Sequence, residues 1–179
     1  MAAKRVAAVA AVAAVAPVAV AGSPTKQVAG FISKFDPPIA KLARASRAAL
    51  RKRLPTAVEL VYDNYQALAM GLSTTERTSD CVATIAVFPK SVILGFYWGS
   101  SLPDPTGILK GGGKQHRYVS LTSAGMIRTA PVEALIRASV AQARTPLAAA
   151  GKGYTIIKSI SAKQRPRSAI KPNVKMKSR

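Results

Sequence analysis

The sequence predicts an α+β domain, a curved antiparallel sheet of five to six strands flanked by an N-terminal and a C-terminal helix. Three observations carry this. Residues 81–98, CVATIAVFPKSVILGFYW, form two apolar runs, 82–88 and 92–98, around a tight turn at Pro89-Lys90. Val, Ile and aromatic residues suit strands, and proline ends the first run by removing a ladder donor. Both faces of this hairpin are largely apolar, which places it mid-sheet with cover on at least one face. Residues 37–53 and 131–144 instead carry apolar residues at three- and four-residue steps, the period of a helix.

Taken in order, residues 1–26 read as an Ala/Val-rich low-complexity leader. Lys4 and Arg5, the apolar run after them and the small residues Ala19-Val20-Ala21 also have the layout of a secretory signal, the alternative reading. The run is too short for a comfortable membrane span. The domain is predicted over 27–161. Asp36 is a good N-cap for helix 37–53, and Pro37 is tolerated in its first turn. Ile39, Leu42, Ala43, Ser46, Ala49 and Leu50 mark the buried face. Lys41, Arg44, Arg47, Arg51 and Lys52 fall largely elsewhere, as a solvated face or a nucleic-acid surface.

Strand 57–62 follows, then a two-residue turn at Asp63-Asn64, residues that tolerate positive φ, then strand 65–70. Residues 73–80 are a polar loop. Strands 81–88 and 91–98 form the hairpin. Pro103, Pro105 and Gly107 exclude regular structure, and Gly111-Gly112-Gly113 make a flexible crossing to strand 116–121. Helix 131–144 has Pro131 in its first turn and ends before Pro146. Residues 154–161 read as a strand or extended arm packing Ile156 and Ile160. From Ala162 no apolar periodicity remains, so 162–179 is predicted to be a basic disordered tail.

Charge is unevenly placed. The net charge is +20, yet all seven acids lie between Gln27 and Glu133, whereas 134–179 hold eleven bases and no acid. That segment predicts weak, sequence-independent contact with nucleic acid through phosphates, since residues 162–179 hold no aromatic side chain on which to stack a base.

Little in the chain points to catalysis. Cys81 is the only cysteine, so an intrachain disulfide and a cysteine-built metal site are both excluded, and one histidine leaves a zinc site short of ligands. A P-loop ending at Lys114 would need Gly at 108 and Ser or Thr at 115, where Ile108 and Gln115 stand. Lys114 and Arg117 add positive charge to the glycine turn, whose N–H groups can converge on an anion. His116, the only histidine, lacks a nucleophile or orienting carboxylate in sequence. Tyr62, Asp63, Asn64 and Tyr65 form the densest polar-aromatic cluster, suited to ligand recognition or to turn and sheet capping. With Trp98, Asp104, Lys114, His116 and Arg117 they are the candidate ligand-binding residues; no catalytic or metal residue is assigned.

Several landmarks occur in fixed order: FISKFDPPIAKLARASRAALRK, ELVYDNYQALAMG, the run TERTSDCVATIAVFPKSVILGFYWGSSLPDPTGILKGGGKQHRYVSL, and IIKSISAKQRPR. Over about residues 27–167 the chain resembles the YdhG-like family, small bacterial proteins classed as a domain of unknown function. VYDNY, the LPDP–GKQ-R order and AKQRPR carry the resemblance. It implies an α+β fold with a curved antiparallel sheet, loosely frataxin-like in architecture, and a cytoplasmic location, and it supplies no established catalytic residues to carry over. The expectation is a small, non-enzymatic binding or carrier module for a small ligand or protein, without a cofactor or membrane span. The alternatives are a frataxin-like intracellular iron carrier, an unrecognised enzyme and, if 1–21 is a signal peptide, an exported protein.

Overall fold

The computed structural model describes residues 22–168. The expectations for 1–21 and for 169–179 lie outside the described residues.

Among the described residues, three helices and a six-stranded mixed sheet make the α+β architecture. The strands are β1 (Val58–Asp63), β2 (Leu68–Ser73), β3 (Cys81–Phe88), β4 (Ser91–Phe96), β5 (Arg117–Leu121) and β6 (Thr155–Ile160). Their order across the sheet is β5-β4-β3-β2-β1-β6. The hairpin of β3 and β4 is interior, with Phe88 opposite Ser91 across the Pro89-Lys90 turn. β1 to β5 form an antiparallel meander.

β6 corrects the all-antiparallel expectation, because it pairs in parallel with β1. β5 and β1 run the same way at opposite sides of the meander. The long connection through α3 (Ala130–Ala141) carries the chain back to the starting end, so β6 leaves in the direction of β1.

α1 (Pro24–Ser33) begins inside the expected leader, where the sequence reading assigns no helix. The Ser23 hydroxyl accepts from the Lys26 N–H, and Pro24 occupies the first turn. Its Val28, Phe31 and Ile32 join Ala40, Ala43 and Leu50 of α2 (Pro37–Arg53) and Val132, Leu135 and Ile136 of α3 in one core. That core covers the sheet face bearing Val61, Met70, Ile85 and Leu94. α3 is shorter than 131–144 and ends at Ala141; β4 stops at Phe96, two residues before the expected 98.

The β1–β2 turn differs too. Asp63 pairs with Leu68, so β2 starts three residues later than expected, and the turn is the four residues 64–67 closed by Asn64 N–H to Ala67 O at 3.0 Å. No described non-glycine residue has positive φ, so the two-residue turn that needs it is not formed. Parity explains the register. Glu59, Val61 and Asp63 share the helix-facing side of β1, where Asp63 meets cationic partners.

The opposite face carries a smaller cluster of Val58, Leu60, Tyr62, Ala69 and Cys81. Across its middle, Leu60, Gly71, Thr84, Gly95 and Tyr118 are neighbours in register. A methyl group at Gly71 would lie 2.9 Å from Cys81 Sγ, and one at Gly95 only 2.8 Å from His116 Nε2. The glycines are needed because those two side chains lie flat on the strands.

Candidate functional site

A cleft of about 200 Å³ opens where the β2–β3 loop, the end of β4 and the end of α3 meet. Cys81, Val82 and Ala143 give it apolar walls; Asp80, Ser101, Gln142 and Arg144 give it polar ones. Trp98 stands at its side, 41% exposed.

The indole is fixed. β4 ends at Phe96, and the chain then turns through Tyr97 and Trp98 into a short 3-10 turn, Gly99–Ser101. Trp98 Nε1 donates to Ser79 O at 2.9 Å, and the Tyr97 ring meets it edge-on with centroids 5.3 Å apart. Gln142, the residue after α3, donates from Nε2 to Trp98 O at 3.2 Å. The Ser101 hydroxyl lies 2.8 Å from both Trp98 O and Gln142 Oε1. Two residues further on, the Arg144 guanidinium sits over the indole, 5.9 Å from the ring centroid.

Asp80, another lining residue, closes the Thr78–Asp80 turn before β3. Its Oδ2 accepts from Thr75 Oγ1 at 2.6 Å and its Oδ1 from Ser79 Oγ at 3.3 Å. Cys81 is buried, and that burial, reinforced by the nearby Asp80 charge, pushes its thiol up to about 12 against the opposing Ser73 hydrogen bond. At neutral pH it is a thiol, not a nucleophile.

The candidates from sequence are dispersed. Of the nine, only Trp98 lines this cleft. Tyr62 lies on the helix-free face, its hydroxyl 2.6 Å from Thr78 Oγ1. Asp63 is fully buried between Lys34 and Arg167. The Asn64 carbonyl accepts from Arg167, and Tyr65 is exposed beneath Arg165 at 5.7 Å. Asp104 is a backbone cap, accepting from Ile108 N–H at 3.1 Å and Leu109 N–H at 2.7 Å. Lys114 is exposed. Arg117 donates back to Gly113 O and His116 O, pinning the glycine loop to itself. Sequence reasoning missed Asp80, Ser101, Gln142 and Arg144. Their only signals were a carboxylate one residue before a strand and a base shortly after a helix.

Of the basic residues on α2, Arg47 and Arg51 are held by Glu59, and Arg44 donates to Ser33 Oγ at 2.9 Å. Among the described residues no group of His, Cys, Asp and Glu is placed to hold a metal ion. None of their helices is long and apolar enough to cross a membrane.

His116 gives a pH prediction. Its ring packs over Gly95, and Nδ1 is buried with no partner. Burial first, then the adjacent Arg117 charge, holds its pKa below 6.5. The unfolded chain therefore takes up this proton at higher pH than the folded one. The stability of the neutral state is present above about 6.5 and declines as pH falls below it. Between pH 7.5 and 5, the urea midpoint is expected to fall more in the wild type than in His116→Gln. Equal slopes would remove His116 from the acid response.

No protein-family model, no curated protein and no solved structure matches this chain.

Proposed function

We propose that this protein is a small, non-enzymatic binding or carrier module, of the YdhG-like type its motifs resemble, and that it takes a small molecule in the cleft at Trp98. The observation that carries the reading is the Arg144 guanidinium, without an ion-pair partner among the described residues, over an exposed indole whose orientation is locked. An immobile aromatic face beside an available charge costs little ordering on binding. The volume of about 200 Å³ fits a ligand smaller than the drug-sized molecules held in sites of about 300–1,000 Å³.

The non-enzymatic reading rests on what surrounds the cleft. Its thiol is protonated at neutral pH, and the single histidine lies elsewhere, over Gly95. The frataxin-like alternative draws less support, since Glu59 and Asp63 are buried in ion pairs and Asp104 is spent on backbone N–H groups. Iron carriage wants exposed oxygen ligands.

The test is mass spectrometry of small molecules released from natively purified protein. The wild type is expected to yield a bound species that Ala143→Trp, which fills the cleft, does not carry at unchanged melting temperature. A ligand retained equally by both would place binding elsewhere.

A further inference from the structure

We infer that the ligand is a zwitterion of amino-acid size, its carboxylate on Arg144 and its ammonium on Asp80; this rests on the cleft being the binding site. Asp80 and Arg144 both line the cleft, carry opposite charge, and form no ion pair with each other or with any other described residue. Asp80 is the one acid among the residues that line the cleft, whereas Glu59, Asp63 and Glu133 are ion-paired elsewhere. In a chain with a net charge of +20, a carboxylate and a guanidinium that line one cleft without an ion-pair partner suit a ligand carrying both charges.

The two groups are set for such a ligand. The Thr75 and Ser79 hydroxyls donate to the Asp80 carboxylate and orient it, leaving lone pairs for an ammonium. The stacking of Arg144 on Trp98 holds the guanidinium in place while its N–H groups stay free to bind a carboxylate. Val82 and Ala143 offer an apolar surface to an aliphatic or aromatic side chain. Selectivity follows from the same pair. A simple acid gains Arg144 but meets Asp80, and a simple amine gains Asp80 but meets Arg144. A zwitterion satisfies both.

The probes are the twenty common L-amino acids, titrated calorimetrically, with the emission of Trp98, the single tryptophan, as the local reporter. At least one is expected to bind saturably and perturb Trp98, and its deaminated acid and decarboxylated amine to bind at least about tenfold more weakly, as loss of a charge-assisted contact requires. Arg144→Gln should bring zwitterion and amine to equal affinity, and Asp80→Asn zwitterion and acid. Arg144 lies beyond the end of α3 and makes no hydrogen bond among the described residues, so its replacement tests binding without testing folding. An acid or amine that binds as tightly as the amino acid and perturbs Trp98 overturns the zwitterion while leaving the cleft as the site. Heat without a change at Trp98, or no binding by any of the amino acids, acids and amines, overturns the cleft as well.

Discussion

Glu59→Ala is expected to destabilise the protein by about 3–5 kcal/mol, the range for breaking a buried ion pair by removing one partner. Glu59 is fully buried on the helix-facing side of β1. Arg47 of α2 grips it with two 2.6 Å bonds, Arg51 adds one at 2.9 Å, and Thr155 of β6 donates at 2.7 Å. This carboxylate therefore ties together α2, β1 and the parallel strand β6. Typical domains have about 5–15 kcal/mol in total, so the loss would take a large share of the margin. Urea unfolding measures it; a change below about 1 kcal/mol, the scale of surface pairs, would show that the cluster is solvated. The cluster also sets an acid limit. Burial raises the Glu59 pKa, but the Arg47 hydrogen bonds and charge, with Thr155 and Arg51, outweigh it and hold it below 4.5. Its stabilisation is thus complete above about 4.5 and is lost as pH falls through the lower folded value.

Arg167→Ala is the second large effect, an expected loss of about 2–4 kcal/mol from a buried charged hydrogen bond and its packing. This residue belongs to the stretch read from sequence as disordered tail. The structure instead lays 162–168 along the end of β1. Ser161 N–H donates to Asp63 O and Arg165 N–H to Tyr65 O, both at 2.9 Å. Arg167 enters beneath them, 5% exposed, with Nη2 3.0 Å from Asp63 Oδ1 and its guanidinium 5.3 Å from the Phe35 ring centroid. Lys34 holds the other Asp63 oxygen at 2.7 Å. The segment clasps the α1–α2 junction to the β1–β2 turn, so deletion of 162–179 is expected to weaken the fold. A double-mutant cycle of Arg167→Ala with Asp63→Asn should give a coupling of at least about 1 kcal/mol; additivity within about 0.5 kcal/mol would separate the two residues energetically.

Arg167 marks the limit of what the sequence reveals. Periodicity exposes residues that are buried because they are apolar, so α2, α3 and the β3–β4 hairpin were legible. Arg167 is buried through a charge partner 104 positions away. No local pattern marks such a residue, and a run of bases without apolar spacing resembles solvent-exposed chain. α1 was hidden differently. Its Ser23-Pro24 start and its Val28, Phe31 and Ile32 spacing are proper helix signals, but they adjoin an Ala/Val-rich stretch that reads as low complexity. β6 was visible as a strand, but its parallel pairing depends on where α3 returns the chain, a global property. In the cleft, Trp98 was a candidate because a large aromatic is conspicuous. Asp80 and Arg144 were not, because only the fold sets residues 64 positions apart on one cavity.

The most direct test of the cleft as binding site is the indole signal of Trp98 in a ¹H–¹⁵N correlation spectrum. One tryptophan gives one Nε1–H cross-peak, from the group hydrogen-bonded to Ser79 O. Adding the small-molecule fraction of a cell extract is expected to shift that peak saturably, together with the side-chain amide of Gln142 and the backbone amides of Asp80 and Arg144. Saturable shifts at residues 62–65 or 111–117, with the Trp98 indole unmoved, would contradict the account and return the site to the tyrosine cluster or the glycine loop.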